Sequence, residues 1–179
     1  QGFFKQSEIP EHVAKTVEQN YPGFRFGIQI GPGIRTAGIP SEYAPSFRDH
    51  LKKQRIGFHL DTDAHWYWSE SMGMGFKYSA FMAGAESRNV QIPDAGSGYL
   101  SEQITMHFIG PSVSNRFVSS NPKNVFVTNI AIGYMNYRNA VGRDNQNFRM
   151  MGNTVGMAFE LGYDFEVSNN TAIGLSITA

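Results

Sequence analysis

Four ionisable side chains follow one another at two-residue steps: His59, Asp61, Asp63 and His65. Imidazole and carboxylate groups can bind a metal ion, transfer protons or pair with cations. In an extended strand, however, side chains on one face lie about 6.6 to 7 Å apart, which is too far for two of them to share an ion held at about 2.1 Å. The spacing therefore predicts neither a metal site nor a cofactor.

A row of buried charges needs partners, because an unpaired charge away from water is costly. We expect these partners to come from other strands and to form one ionic network inside the protein. The predicted members are Arg25, His59, Asp61, Asp63, His65, Lys77, His107, Glu160 and Asp164.

Catalysis is the alternative use of such groups. Acyl transfer needs a nucleophile, a base and an orienting acid in contact, and the candidates by residue type alone are Ser79, Ser101, His107 and Glu160. Activation of water by His and Asp near the extracellular rim would draw on His50 and His59. Because no motif links these residues, we predict no catalytic residue.

The segment that carries the four ionisable groups, Arg55 to Trp68, alternates with a period of two. Its sequence RIGFHLDTDAHWYW places apolar residues ending in Trp66 and Trp68 on one face and the charged residues on the other. A transmembrane β-barrel suits such a strand, since lipid covers the apolar face and the polar face lines the interior.

Composition favours an all-β protein of one domain. The 179 residues include 14 Phe, 8 Tyr and 19 Gly, residue types that strands favour or tolerate at close approaches. The formal net charge of zero gives no basic surface for nucleic acid, and the absence of cysteine excludes disulfides and thiolate metal sites. No apolar run is long enough for a transmembrane helix.

The same alternation recurs along the chain after an N-terminal segment, residues 1–23, which we expect to be periplasmic and to contain a short helix. A β-barrel domain, residues 24–179, follows. Its connections alternate between long (37–54, 87–98, 139–147) and short, and the first could hold a short helix containing Phe47 and Leu51. We predict strands at about 24–36, 55–68, 72–86, 99–118, 124–138, 148–167 and 171–179.

The fourth strand breaks the simple pattern at Gly110-Pro111. Before this point the apolar residues Ile104, Met106 and Phe108 occupy even-numbered positions and alternate with polar residues that include His107. After it, the apolar residues Val113 and Phe117 occupy odd-numbered positions. If apolar residues always face outward, the strand must bend or bulge here and change its facing.

Aromatic residues collect beside the short connections. Rings at one end of the strands would form the girdle typical of a membrane interface. The predicted girdle consists of Phe24, Phe26, Trp66, Trp68, Phe117, Phe126, Tyr163 and Phe165.

The fold class predicted is therefore an up-and-down antiparallel transmembrane β-barrel with seven visible strands. Since bacterial single-chain barrels have even strand numbers, we expect an eighth, closing strand after Ala179. A strand missed in the sequence, or an edge completed by another chain, would explain the odd number equally well.

The segments FRFGIQIGPGIR, GMGFKYSAF and VGMAFELGYDF resemble the small eight-stranded outer-membrane barrels of OmpA and OmpX type, in particular the outer-membrane β-barrel domain proteins of Bacteroides and its relatives. The resemblance covers about residues 24–179. It implies location in the outer membrane of a Gram-negative bacterium, contact with outer-membrane lipid and lipopolysaccharide, and a structural or interaction role, with an accessory place in a larger outer-membrane complex as one form of it.

Three other functions fit the pattern less well. A soluble lipocalin-like carrier would turn the apolar face inward and the charges outward. A lipid-A-modifying or omptin-like enzyme would use the same barrel. A porin-like pore is disfavoured, because the interior of eight strands is just wide enough for side chains.

Overall fold

The computed structural model describes residues 23–92, 96–119, 123–144, 146–168 and 170–179. The predicted N-terminal helix lies outside these residues. The helix expected near Phe47 and Leu51 is present as α1, Pro45–Lys53. The strands are β1 Phe24–Ile34, β2 Ile56–Tyr67, β3 Met72–Ile92, β4 Gly96–Val118, β5 Asn124–Arg143, β6 Gln146–Ser168 and β7 Thr171–Thr178.

The seven strands form one sheet in which each strand pairs antiparallel with the next along the chain. This confirms the all-β, up-and-down architecture. Strands β1 and β7 are the two edges of the sheet and are not paired with each other in the described part of the chain, so the sheet is not closed. Strand β7 pairs with β6 only from Glu160 to Ser168, with Ala179 bonding Phe159 beyond it.

The sheet curls so that one face is concave. Side chains of β1 and β2 reach β6 and β7 across this face, as in the Arg25–Asp164 and Thr178–Asp61 contacts. We call the concave face the inner face and the opposite one the outer face. We also call the end of the sheet at which β2 precedes β3, β4 precedes β5 and β6 precedes β7 the turn end, and the other the helix end.

Two predicted long connections are mostly strand. The β3–β4 hairpin stays paired to Ile92↔Gly96, and the β5–β6 hairpin to Arg143↔Gln146, so the predicted loops 87–98 and 139–147 are wrong. Their polar residues indicate a loop, but backbone pairing continues through them, with positive φ at Asn89 and Asp144.

The predicted change of facing in β4 is also wrong. The β4–β5 register runs from Leu100↔Arg143 to Val118↔Val125 without a shift. Gly110 serves close strand approach rather than a bend, because a Cβ there would lie 2.2 Å from the Ile132 carbonyl oxygen. Ile104 and Phe108 are consequently buried on the inner face.

Helix α1 packs against β3 at the helix end and covers a small apolar core. Pro45 occupies its first turn, where proline fits, and Lys52 and Lys53 lie in its last turn, where cations are favoured. The apolar inner-face residues at this end are Ala83, Ala85, Val90, Leu100 and Ile104, all less than a tenth exposed. Among the described residues, no helix combines the length and apolarity needed to cross a bilayer.

Candidate functional site

The inner face carries a group of buried ions centred on Arg25. Its guanidinium donates to Asp63 Oδ2 at 2.7 Å from Nη1 and to Asp164 Oδ2 at 3.0 Å from Nη2. One cation on β1 thus joins carboxylates of β2 and β6. Bridging of this kind offsets part of the cost of removing the Asp63 carboxylate from water.

His65 extends this group to β4. Its Nδ1 lies 3.0 Å from Asp63 Oδ2, and its Nε2 lies 2.8 Å from Ser112 Oγ. The ring can span from β2 to β4 because the residue between them on β3 is Gly75, where a Cβ would lie 2.8 Å from His65 Cα. The sequence pattern did not indicate that Ser112 contacts His65, because only the register of the strands brings the two side chains together.

A second group surrounds Lys77, which is 1% exposed. Its Nζ donates to Asp61 Oδ2 at 3.0 Å and to Glu160 Oε2 at 2.7 Å. His59 Nε2 lies 3.3 Å from Asp61 Oδ1 and 2.8 Å from Ser79 Oγ. The structure therefore brings eight of the nine predicted network residues together in two adjacent groups.

His107 does not belong to either group. It pairs with Ala80 and Asn136 on the outer face, and its Nδ1 lies 2.8 Å from the Tyr78 hydroxyl. Its assignment to the interior network was wrong, because that assignment assumed that β4 changes its facing at Gly110.

Polar side chains connect the two edge strands across the inner face. The Gln29 side-chain Nε2 donates to Glu160 Oε1, and the Ser176 hydroxyl donates to Gln29 Oε1. Thr178 donates to Asp61 Oδ2 at 2.6 Å. Side-chain contacts therefore connect the edge strands β1 and β7, which have no backbone pairing with each other in the described residues. The sequence pattern did not predict these contacts.

The inner face continues to the turn end with a stacked pair. The Arg116 guanidinium lies 4.0 Å from the centre of the Tyr67 ring, and the Tyr67 hydroxyl lies 2.9 Å from Ser114 Oγ. Arg116 Nε also donates to the Glu70 carbonyl oxygen. This cluster lies at the turn end of the concave face, where Arg116 also lines the cavity between β1 and β7.

The outer face carries large apolar side chains that are exposed along all seven strands. Examples are Phe76 at 65% exposure and Leu161 at 66%. The eight predicted girdle residues lie on this face near the turn end, each more than a third exposed: Phe24, Phe26, Trp66, Trp68, Phe117, Phe126, Tyr163 and Phe165. We call the apolar outer surface between these rings and the Tyr78 and Tyr134 side chains the apolar belt.

A third buried polar group lies at the helix end, beyond the apolar belt. Gln54 donates to Glu102, and His50 Nε2 lies 3.6 Å from Glu102 Oε2. Burial raises the pKa of Glu102, but hydrogen bonds from His50 and Gln54 outweigh burial and hold this pKa below its ordinary value. The group ties α1 to β4.

The Asp63, His65 and Ser112 side chains have the hydrogen-bond order of an acid, base and nucleophile. Their surroundings do not suit catalysis. Ser112 is 4% exposed, Asp63 is already bound by Arg25, and none of the three lines the cavity of about 1880 Å³ that opens between β1 and β7. We interpret them as part of the interior network.

The arrangement of donors gives no metal site. No group of three or more His, Asp or Glu side chains in the described ranges could hold an ion. Comparison with protein-family models, with curated proteins and with solved structures finds no match for this chain.

Proposed function

We propose that this chain forms the wall of a transmembrane β-barrel in the outer membrane of a Gram-negative bacterium. One observation carries the proposal: the sheet buries its charges and exposes its large apolar residues. Asp61, Lys77 and Glu160 are at most 2% exposed, whereas Trp66 is 69% and Ile132 55% exposed. Such exposure is costly in water and favourable in hydrocarbon.

The dimensions of the apolar belt support the same proposal. On the outer face it extends from Ile109 to Phe117 on β4 and from Phe126 to Tyr134 on β5, about nine residues each. A strand tilted by about 45° needs roughly 9 to 11 residues to cross hydrocarbon. Aromatic rings at its two borders fit the girdles of such barrels.

Closure by a further strand is part of the proposal. In hydrocarbon, the backbone groups along the open edges of β1 and β7 must find partners. A strand between these edges would lie about 4.8 Å from each of them. It would complete the eight strands that the sequence pattern predicts.

The biochemical role that fits this interior is structural or interactive rather than transport or catalysis. Ion pairs join β1, β2, β3 and β6 across the concave face, so that fixed charged side chains occupy part of the interior beside the cavity along β1 and β7. We propose that the barrel holds α1 and the two long hairpins outside the bilayer for contact with other outer-membrane components, either as a separate protein or as an accessory subunit. Its other partners are outer-membrane lipid and lipopolysaccharide.

The soluble carrier is not supported by the exposure pattern. A lipocalin-like barrel would bury Trp66 and Ile132 and expose Asp61 and Asp63, which is the reverse of the arrangement described. The enzyme alternative has the Asp63–His65–Ser112 geometry in its favour, but the buried serine gives no access to a lipid or peptide substrate.

Flotation with phosphatidylcholine vesicles tests the proposed function. Purified chain refolded with vesicles should float with the lipid after an alkaline carbonate wash and keep a β-sheet circular dichroism spectrum. Recovery of folded chain in the aqueous fraction would contradict insertion. Fractionation of cells that express the chain tests its location separately.

A further inference from the structure

We propose that the outer face of β4, β5 and β6 at the helix end binds the phosphate group of a lipid headgroup. This inference rests on the membrane insertion proposed above and specifies a lipid partner and its site. The site, called here the arginine patch, consists of His107, Asn136, Arg138, Arg149 and Asn153.

The strand register places the patch directly beyond the apolar belt. Ile109, Tyr134 and Val155 form one row of paired residues on the outer face. The next row toward the helix end is His107, Asn136 and Asn153. Lipid chains that cover the first row would bring their headgroups to the second.

Hydrogen bonds within the patch use its acceptors and leave donors. Asn136 Nδ2 donates to Asn153 Oδ1 at 2.6 Å, and Arg138 Nε donates to Asn136 Oδ1 at 2.9 Å. Both amide oxygens are therefore occupied, whereas the two terminal nitrogens of Arg138 still carry donors. A surface that presents N–H groups of a guanidinium fork suits the oxygens of a phosphate.

Arg149 can reach the same ligand. Arg138 pairs with Met151, and Arg149 lies two residues along β6 from Met151, so the two arginines are diagonal neighbours about 7 to 8 Å apart. Both side chains are exposed. A phosphate between them would receive donors from two guanidinium groups.

The charge of this face is uncompensated. In the described parts of β4, β5 and β6, Arg138 and Arg149 are the only Arg, Lys, Asp or Glu side chains on the outer face. The acidic residues of these strands alternate onto the inner face: Glu102, Glu160, Asp164 and Glu166. On neighbouring β3, Glu86 pairs with Ser101, further toward the helix end. An anionic headgroup supplies the missing counter-charge.

The height of the patch also suits a headgroup. Arg138 is four residues beyond Tyr134, or about 10 Å along the normal for a strand tilted by about 40°. Its Nε donates to Asn136 Oδ1, which directs the guanidinium back toward the apolar belt. The interfacial layer on each side of the hydrocarbon is about 5 to 7 Å deep, so a guanidinium directed this way can reach a headgroup.

Native mass spectrometry of lipid retention tests the inference. The chain in neutral detergent is mixed with phosphatidic acid or with phosphatidylcholine of the same acyl chains. We expect preferential retention of phosphatidic acid, and a roughly tenfold loss of this preference in the R138Q/R149Q variant, since each Arg near an anionic headgroup contributes a few-fold in affinity. The charge-matched control is K52Q/R88Q, whose side chains are exposed but lie on α1 and β3.

An equal loss in both double variants, or no loss in R138Q/R149Q, would overturn the inference. Glycerol 3-phosphate at the concentration of the lipid should not displace phosphatidic acid, and displacement would overturn a lipid as the occupant. Flotation with pure phosphatidylcholine separates the two proposals. A chain that inserts without a headgroup preference refutes only the arginine patch, whereas a chain that fails to insert refutes both.

Discussion

The outer face of β4, β5 and β6 differs in polarity between the two halves of the sheet. In the half spanned by the apolar belt, Lys77 and Asp61 are buried on the inner face while Ile132 and Trp66 are exposed on the outer face. In the half at the helix end, Leu100, Ile104 and Val90 are buried on the inner face, and the outer face of β4, β5 and β6 carries Gln103, Asn136, Arg138 and Arg149 beside the exposed Met151. On β1, β2 and β3 the outer face at this end still exposes apolar side chains, namely Ile34, Ile56, Phe58 and Met82. The parity of the strands does not change between the halves.

Under the proposed membrane insertion, the contrast follows from a change in the surroundings along the strands and not from a change in the strands themselves. Water outside favours apolar residues inside, whereas hydrocarbon outside favours the reverse. The border of the apolar belt lies between the row that contains Tyr134 and the row that contains Asn136. These two residues are two positions apart on β5 and share the outer face. The proposed barrel would leave the bilayer at this border.

The largest effect should follow from loss of the buried cation in the belt half. Lys77→Met leaves Asp61 and Glu160 buried without their cation, and we expect a loss of about 3 to 5 kcal/mol in the free energy of unfolding. Urea unfolding from phosphatidylcholine vesicles, followed by tryptophan fluorescence, measures it. Lys53→Met on exposed α1 is the control, and equal stability of the two variants would contradict a buried network.

Truncating one apolar residue in each half sharpens the comparison. Ile104→Ala at the helix end should lower the free energy of unfolding by about 2 to 5 kcal/mol, because it leaves a cavity at a buried inner-face position. Ile132→Ala on the outer face should cost less than about 1.5 kcal/mol, because lipid fills the space. The same unfolding assay compares them, and the reverse order would refute the assigned faces.

Adding a charge to the outer face tests the border directly. Val113 and Gln103 lie on the same face of β4, one inside the belt and one beyond it. Val113→Arg should cost about 2 to 4 kcal/mol, as a cation does near the bilayer midplane. Gln103→Arg should change the free energy of unfolding by no more than about 0.5 kcal/mol. Equal costs in vesicles would mean that no border exists.

The smallest effect is a pH dependence at the helix end. Because the folded-state pKa of Glu102 is below its ordinary value, its stabilisation of α1 is complete above the ordinary pKa and is lost as pH falls through the folded-state pKa. Hydrogen-exchange protection of α1, corrected for intrinsic rates, should therefore fall in acid. Glu102→Gln should remove most of this dependence, and an unchanged acid response in that variant would assign it to another group.

Much of this architecture is predictable from a period of two. Alternation in Arg55–Trp68 and in the other strands gave the two faces, the order of the strands and the girdle rings, because side chains of a strand alternate regardless of what lies beyond it. The partners of each charge were not predictable. Lys77 and Glu160 are 83 residues apart, and only the curl of the sheet brings them together.

The errors share a physical cause. The facing of β4 and the placement of His107 followed from the rule that apolar residues face outward along a whole strand. That rule holds for Val113, which is exposed, and fails for Ile104, which is buried. In the proposed membrane orientation, Ile104 lies beyond the border at which water replaces hydrocarbon. Polar residues beyond the same border, as in 87–98, were predicted as loops although they continue the hairpins.

Quenching of Trp66 and Trp68 by brominated phosphatidylcholine tests the central claim most directly, because these are the only two tryptophans of the chain. Both rings are more than half exposed on the outer face at the turn end. Bromines near the headgroup end of the acyl chain should quench their fluorescence strongly, deeper bromines less, and aqueous iodide little. Fluorescence that iodide quenches and bromolipid leaves unchanged would show that the apolar belt faces water.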